Sequence, residues 1–314
     1  MFKLLIGYDG SNCARSALIG LQRAGLPAAT EATVLAIADV WRPPVDTAVR
    51  RAPTNYLTQL WIEAEQRAQN ALNIAQSQAQ EAAAYLQTLF PTWQIHAAAV
   101  ADSPAWGLIK QAEESSVDLV VVGSRGVSAV DRVLLGSISQ MVAAHCTRSV
   151  RIGRATPEGA ADRPVRLVIG YDGSSHADAV LKAIAARHWP VGSEARLLVC
   201  VDQFMATVAP WALSRMSSHA PAKPLTSAAE GRAWLTDLVE QAAANLRHTG
   251  LTIETRLREG DPRTVLVQEA EQWSADCLFV GARGLGRFER FWLGSVSTAV
   301  ASRAGCSVEI VRTA

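Results

Sequence analysis

The chain carries one pattern twice, and that repetition limits its architecture more than any other feature. Residues 4–11 read LLIGYDGS and residues 167–174 read LVIGYDGS. Near the end of each half, DLVVVGSRGVSAVDRVLLGSIS at 118–139 matches DCLFVGARGLGRFERFWLGSVS at 276–297. Ser103-Pro104 aligns with Asp261-Pro262 in the same way. The offset is 163 residues at the first match and 158 at the later two, so the second copy is five residues shorter between them and otherwise colinear. So long a period is a duplicated domain, not the short stacked unit of a solenoid. A length of 314 residues suits two domains. We expect them at 1–153 and 164–314, with 154–163 as a linker rich in Gly, Pro and Ala and without apolar period.

Within each copy, strand patterns alternate with helix patterns. Copy one opens with an apolar run at 3–8. A helix follows from Ser11, a suitable N-cap, to a left-handed stop at Gly25. Thr33–Asp39 reads as a second strand. From Thr54 to Phe90, Leu57, Leu60, Trp61, Ala64, Ala68, Ala71, Leu72 and Ala75 recur at helical spacing. Strands at 94–100, 117–123 and 149–152 then alternate with helices at 105–114 and 137–144. Copy two repeats the strands at 166–171, 195–201, 251–257, 276–281 and 307–311. Short, continuously apolar strands such as DLVVVG suit a sheet covered on both faces. Joined by helices, they imply right-handed crossovers and a doubly wound parallel α/β sheet in each copy.

Composition removes several alternatives. Hydrophobic residues are 49% and charged residues 19%, enough apolar surface for a real core and too little charge for disorder. A formal net charge of +1 argues against a surface built to attract nucleic acid or anionic lipid. The apolar run before Asp9 is too short for a signal-peptide core, and no stretch approaches the ~20 apolar residues of a membrane span. The expectation is a cytoplasmic protein. Five scattered cysteines (Cys13, Cys146, Cys200, Cys277, Cys306), with no C-x-x-C pair, give no disulfide framework.

The pattern that carries chemistry lies after the fourth strand of each copy. Gly123 and Gly126 are followed by Gly136-Ser137 at the head of the next helix, a spacing of G-x2-G-x9-G-S. Gly281, Gly284 and Gly294-Ser295 repeat it. A phosphate chain needs backbone amides aimed at it with no Cβ in the way, which glycine allows. The following helix adds unpaired first-turn amides and the positive end of its dipole. Asp9 and Asp172 end the first strand of each copy. If strands one and four are neighbours, each aspartate shares a crevice with its glycine loop at the carboxyl edge of the sheet. There it would accept a hydrogen bond from a base amino group or a ribose hydroxyl; its other reading is an N-cap for the following helix, and the two are compatible.

These motifs resemble those of the universal stress protein family, in particular its ATP-binding branch. The likeness runs over nearly the whole chain: D-G-S after strand one, the D/S-P step after strand three, and G-x2-G-x9-G-S. It implies a five-stranded parallel sheet of order 3-2-1-4-5 in each copy, with ATP across the ends of strands one and four. It also implies pairing of domains through their fifth strands, within one chain or between two. By position, the adenine side of copy one would be Asp9, Ile37 and Val122, and the phosphate side Gly123, Gly126, Gly136, Ser137 and Ile138. In copy two the set is Asp172, Cys200, Val280, Gly281, Gly284, Gly294, Ser295 and Val296.

Departures from the family pattern fall between strand two and the long helix. Trp41–Pro53 in copy one and Gln203–Ser227 in copy two are longer there than in many relatives, as a flap over the nucleotide or as surface loops. Arg125, Arg283, Arg132, Arg287 and Arg290 lie in or just after the glycine loops and could meet phosphate, although solvated loop charges are the commoner outcome. Six histidines show no ligand spacing, so any Mg²⁺ or Mn²⁺ would arrive on the ATP phosphates. No P-loop lysine motif, nucleophile elbow or H-E-x-x-H is present, and no general base can be named. The expected role is binding and regulation, not efficient ATP hydrolysis. Slow hydrolysis and a dimerisation scaffold with empty sites are the alternatives.

Overall fold

A computed structural model of the chain describes residues 1–41, 56–126, 135–156, 163–201, 227–284 and 293–313. The flap readings at 42–53 and 203–226, and Arg132, Arg287 and Arg290, lie outside those residues. Copy one contains β1 (Phe2–Gly7), α1 (Asn12–Gly20), β2 (Thr30–Ala38), α2 (Tyr56–Leu89), β3 (Gln94–Ala101), α3 (Pro104–Glu114), β4 (Leu119–Gly123), α4 (Ser137–His145) and β5 (Ser149–Gly153). Copy two contains β6 (Arg166–Gly170), α5 (Ser175–Ala185), β7 (Glu194–Val201), α6 (Ala228–Ala244), β8 (Thr252–Glu259), α7 (Pro262–Gln272), β9 (Cys277–Gly281), α8 (Ser295–Arg303) and β10 (Ser307–Val311).

Each copy is a parallel sheet of order 3-2-1-4-5, and the two join edge to edge. The full order is β3-β2-β1-β4-β5-β10-β9-β6-β7-β8. All pairings are parallel except the seam, where β5 and β10 run antiparallel with Val308 opposite Ile152, Glu309 opposite Arg151 and Ile310 opposite Val150. Both copies are therefore related by a local two-fold axis through the Arg151–Glu309 pair. Their strands point in opposite directions, so the carboxyl edges of the two halves lie at opposite ends of the sheet.

Two differences from the sequence reading have local causes. Strand β2 starts at Thr30, three residues early, because residues 30–33 already pair with β1, and 31–33 with β3 as well. Helix α1 stops at Gly20 and tightens into a single 3₁₀ turn at Leu21–Arg23. Gly25 is left-handed as expected (φ +63°), but its reason is the other copy: a Cβ there would lie 2.8 Å from the Trp189 ring.

The helices cover both faces, and the core on one face ignores the duplication. Val150, Ile152, Val308 and Ile310 of the seam are fully buried in one continuous cluster with α3, α4, α7 and α8. On the opposite face each copy keeps its own core under α1 and α2 or under α5 and α6. Full burial of a Val or Ile is worth about 1.5–3 kcal/mol, so these four side chains contribute to the stability of the joined sheet.

Strand alternation turns Arg151 and Glu309 to that second face, where both are 1% exposed. Arg151 Nη1 lies 3.2 Å from Glu309 Oε2 and 3.2 Å from the Cys277 sulfur. Arg187, which follows α5, forms an ion pair with Glu309 and donates to the Ala24 carbonyl of copy one at 3.0 Å. Away from the axis the seam is closely symmetric. The Arg154 amide donates to Ser307 Oγ and the Arg312 amide to Ser149 Oγ, both at 3.1 Å.

Candidate functional site

At the carboxyl end of β1, Asp9 Oδ1 accepts from the Ser11 amide at 3.0 Å, and Ser11 Oγ accepts from the Ala14 amide at 3.1 Å. Asp172, Ser174 and Ala177 repeat this at 3.0 and 3.2 Å. The serines, not the aspartates, thus cap α1 and α5, and each aspartate uses one oxygen to form the turn ahead of the cap. Asp9 is exposed and its second oxygen lies against the glycine loop. A Cβ built on Gly126 would sit 3.0 Å from Asp9 Oδ2, and one on Gly284 would sit 2.5 Å from Asp172 Oδ2. Strands β1 and β4 are hydrogen-bonded neighbours, as are β6 and β9, so loop and aspartate share one crevice in each copy.

The loop after β4 is fastened at three points. The Ser124 amide donates to the Gly153 carbonyl at 3.1 Å, and the Gly136 amide to the Ser124 carbonyl at 2.8 Å. Ser139 Oγ, one turn into α4, donates to the Gly123 carbonyl at 2.6 Å. Copy two repeats all three: Ala282 amide to Val311, Gly294 amide to Ala282, both 2.8 Å, and Ser297 Oγ to Gly281 at 2.6 Å. Gly136 and Gly294 are the N-caps of α4 and α8, and no side chain caps either helix. An α-helix leaves its first amides without intrahelical partners, so both helix heads present donors to the cleft.

Not every glycine is there for the cleft. A Cβ on Gly123 would lie 2.8 Å from the Ala14 backbone nitrogen, and one on Gly281 would lie 2.8 Å from His176 Cβ. These two let the end of β4 or β9 pack against the head of α1 or α5. A Cβ on Gly136 would meet the loop itself, 3.3 Å from Arg125 Cα.

Two clefts result, of about 410 Å³ in copy one and 640 Å³ in copy two. The structure brings all eight residues proposed for copy one into the lining of the first: Asp9, Ile37, Val122, Gly123, Gly126, Gly136, Ser137 and Ile138. It places the eight of copy two, Asp172, Cys200, Val280, Gly281, Gly284, Gly294, Ser295 and Val296, around the second. Arg125 and Arg283 also line them. The sequence reading missed an apolar wall, Leu35 and Leu108 in copy one and Leu198 and Leu266 in copy two. Periodicity carried the signal: Leu35 is two residues before Ile37 on one side of a strand, and Leu108 one helical turn after Pro104.

The apolar walls of the two clefts carry no charged side chain, Cys200 included. Burial pushes the Cys200 thiol up to about 12. Beside the second cleft, burial and then the Arg283 charge hold His176 below its ordinary value, so it is neutral at pH 7. Among the described residues no group of His, Cys, Asp and Glu has the geometry to hold a metal ion. No described helix is long and apolar enough to cross a membrane.

Comparison with known proteins places the chain in a family. The universal stress protein family model fits residues 1–152 and again 165–312. A universal stress protein of Mycolicibacterium smegmatis is 29% identical over 63% of this chain and 62% of its own length. A universal stress protein A-like protein of Arabidopsis thaliana is 35% identical over 24% of this chain, and the match spans 43% of that relative. Among solved structures, a universal stress protein from Archaeoglobus fulgidus covers 99% of this chain and 98% of its own, with a TM-score of 0.61 at 20% identity. That likeness is one of fold, over nearly the whole of both chains. The chain belongs to the universal stress protein family, with two of its domains in tandem.

Proposed function

We propose that each cleft holds one adenine nucleotide, ATP foremost, with Mg²⁺ or Mn²⁺ carried on its phosphates, and that the chain acts as a regulatory binding module in a stress response. The supporting observation is the head of α4 and of α8, without a side-chain cap and lining a cleft together with Gly123 and Gly126 or Gly281 and Gly284. Triphosphate oxygens would take the first-turn amides at Ser137–Ile138 and Ser295–Val296, with Arg125 or Arg283 as charge partner. The base would lie against Ile37, Leu35 and Val122, or Cys200, Leu198 and Val280. The carboxylate of Asp9 or Asp172 would accept from a ribose hydroxyl or the base amino group. Cleft volumes of about 410 and 640 Å³ fall in the usual range for small-molecule sites.

Bound metal would screen the phosphate charge; the chain's own residues bind and orient. The described lining of each cleft contains one carboxylate and no histidine. One oxygen of that carboxylate holds its turn and the other faces the glycine loop, where the reading gives it to the ribose or base. We read the chain as a binding module, place it in the cytoplasm, and set its domains at 1–153 and 164–314. Denaturing the purified full chain and identifying any released nucleotide tests it. Release of adenine nucleotide supports the reading. Steady hydrolysis of added ATP at about 1–10³ per second would replace it with an enzyme.

A further inference from the structure

The last helix of each half has one end in its own cleft and the other end in the hands of the opposite half. Arg154, directly after β5, crosses the seam. It is 9% exposed, and its guanidinium donates to the Ala301 carbonyl at 2.6 Å and the Cys306 carbonyl at 3.2 Å. Those carbonyls lie in the last turn of α8 and just beyond it. Arg312, directly after β10, does the same in reverse. It donates to Ala143 at 2.7 Å, and to Ala144 and Arg148 at 3.4 Å, around the end of α4. Terminal helix carbonyls lack intrahelical partners, and a guanidinium there satisfies them and complements the dipole.

Each arginine is also tied to the cleft of its own half. The Gly153 carbonyl, one residue before Arg154, accepts from Ser124 in the first glycine loop at 3.1 Å. The Val311 carbonyl, one residue before Arg312, accepts from Ala282 in the second at 2.8 Å. The charges are close as well: burial and then the Arg125 charge depress Arg154, and burial and then the Arg283 charge depress Arg312.

We infer that Arg154 and Arg312 are crossed positioning residues that link the two clefts: Arg154 sets the phosphate-facing head of α8 in copy two, and Arg312 sets that of α4 in copy one. The route is short and contiguous. It runs from Ser124 to Gly153 and Arg154, then through α8, nine residues long, to Ser295. The mirror route runs from Ala282 to Val311 and Arg312, then through α4 to Ser137. A ligand that orders one loop firms the arginine beside it, and so the helix opposite. Linkage makes this reciprocal.

The inference rests on the nucleotide reading for its ligand but not for its geometry, and one experiment separates the two. Hydrogen exchange by mass spectrometry on the full chain resolves the first-turn amides of α4 from those of α8. It is run without ligand and across a titration of ATP with Mg²⁺. With Arg154→Met, exchange rises at 295–298 and not at 137–140, and half-protection of 295–298 needs about 2- to 30-fold more ATP, the range for distant coupling mutations. Arg312→Met gives the mirror image. Arg154→Lys and Arg312→Lys, which keep charge and donors, recover most of the difference and guard against simple misfolding. Effects confined to a variant's own half, or equal in both halves, overturn the inference. Crossed effects without ligand, in a wild-type chain that ATP does not protect, uphold the linkage and sink the nucleotide reading instead.

Discussion

Arg151 and Glu309 face each other at the centre of the seam, and they are the same position of the two copies. A seam between two first copies would put arginine against arginine there, and one between two second copies glutamate against glutamate. Only the mixed pairing opposes unlike charges, and Arg187, which aligns with Ala24 of copy one, reinforces it. Removing one member of a buried, hydrogen-bonded charge set typically costs about 3–5 kcal/mol, because its partners stay buried and unpaired. Glu309→Gln should destabilise the chain by that amount in urea unfolding. Arg151→Glu, which creates a like pair beside Arg187, should also destabilise. A loss below about 1 kcal/mol for both would mean that the apolar seam residues alone hold the halves together.

Asp9 holds one oxygen in the turn, and the other lies against Gly126 of the glycine loop. Asparagine keeps an acceptor for the Ser11 amide and loses the charge. Asp9→Asn should therefore leave unfolding within about 0.5 kcal/mol of the parent, while weakening nucleotide binding in copy one about tenfold. Asp172→Asn should do the same in copy two. Titration calorimetry beside thermal unfolding checks both. Equal binding with lowered stability would leave the aspartates as turn-formers only.

Buried thiols give the fold an alkaline limit. Cys277 and Cys306, both fully or nearly fully buried, are pushed by burial up to about 11 and about 12, from an ordinary value of 9.0. A raised folded value means that the unfolded chain loses the proton first. The stabilisation is whole below pH 9 and disappears as pH climbs through 11 to 12. At pH 10 each thiol should already cost about 1 kcal/mol. Melting temperature measured from pH 7 to pH 10.5 should fall, and Cys306→Ala should flatten part of that fall.

Cys200 should be slow toward alkylation for the same reason. Its thiol is pushed up to about 12 by burial, so at pH 8 its thiolate fraction is about 10³-fold below that of an ordinary cysteine. Mass spectrometry after timed iodoacetamide exposure checks this. Labelling as fast as a free thiol would mean that the wall of the second cleft is open to water.

The clefts and the pairing of the two fifth strands were legible in the sequence, and the side chains that lock the seam were not, for physical reasons. Glycine spacing, strand ends and helix heads are local, so Gly126, Ser137 and Asp9 could be placed on one crevice once β1 and β4 were neighbours. The duplication supplied the second set. Arg154, Arg187 and Arg312 act across 120 residues or more of chain, through contacts that no local period encodes. Arg154 read as the first residue of a linker, yet it is buried against α8. Its neighbour across that stretch, Arg163, bonds Asp276 at 3.0 Å, and Arg23 of copy one joins the same carboxylate at 2.9 Å. Gly123 lines the cleft as expected and has a second role that sequence could not show, since only the packed structure brings up the α1 head that excludes a side chain there.

Binding stoichiometry tests the central claim most directly. Titration calorimetry of the full chain with ATP and Mg²⁺ should give two sites. Gly126→Val and Gly284→Val, which put a side chain between loop and aspartate, should each leave one, and the double variant none. Two sites retained in the double variant, with the fold intact by circular dichroism, would contradict the assignment of these loops as the phosphate cradle.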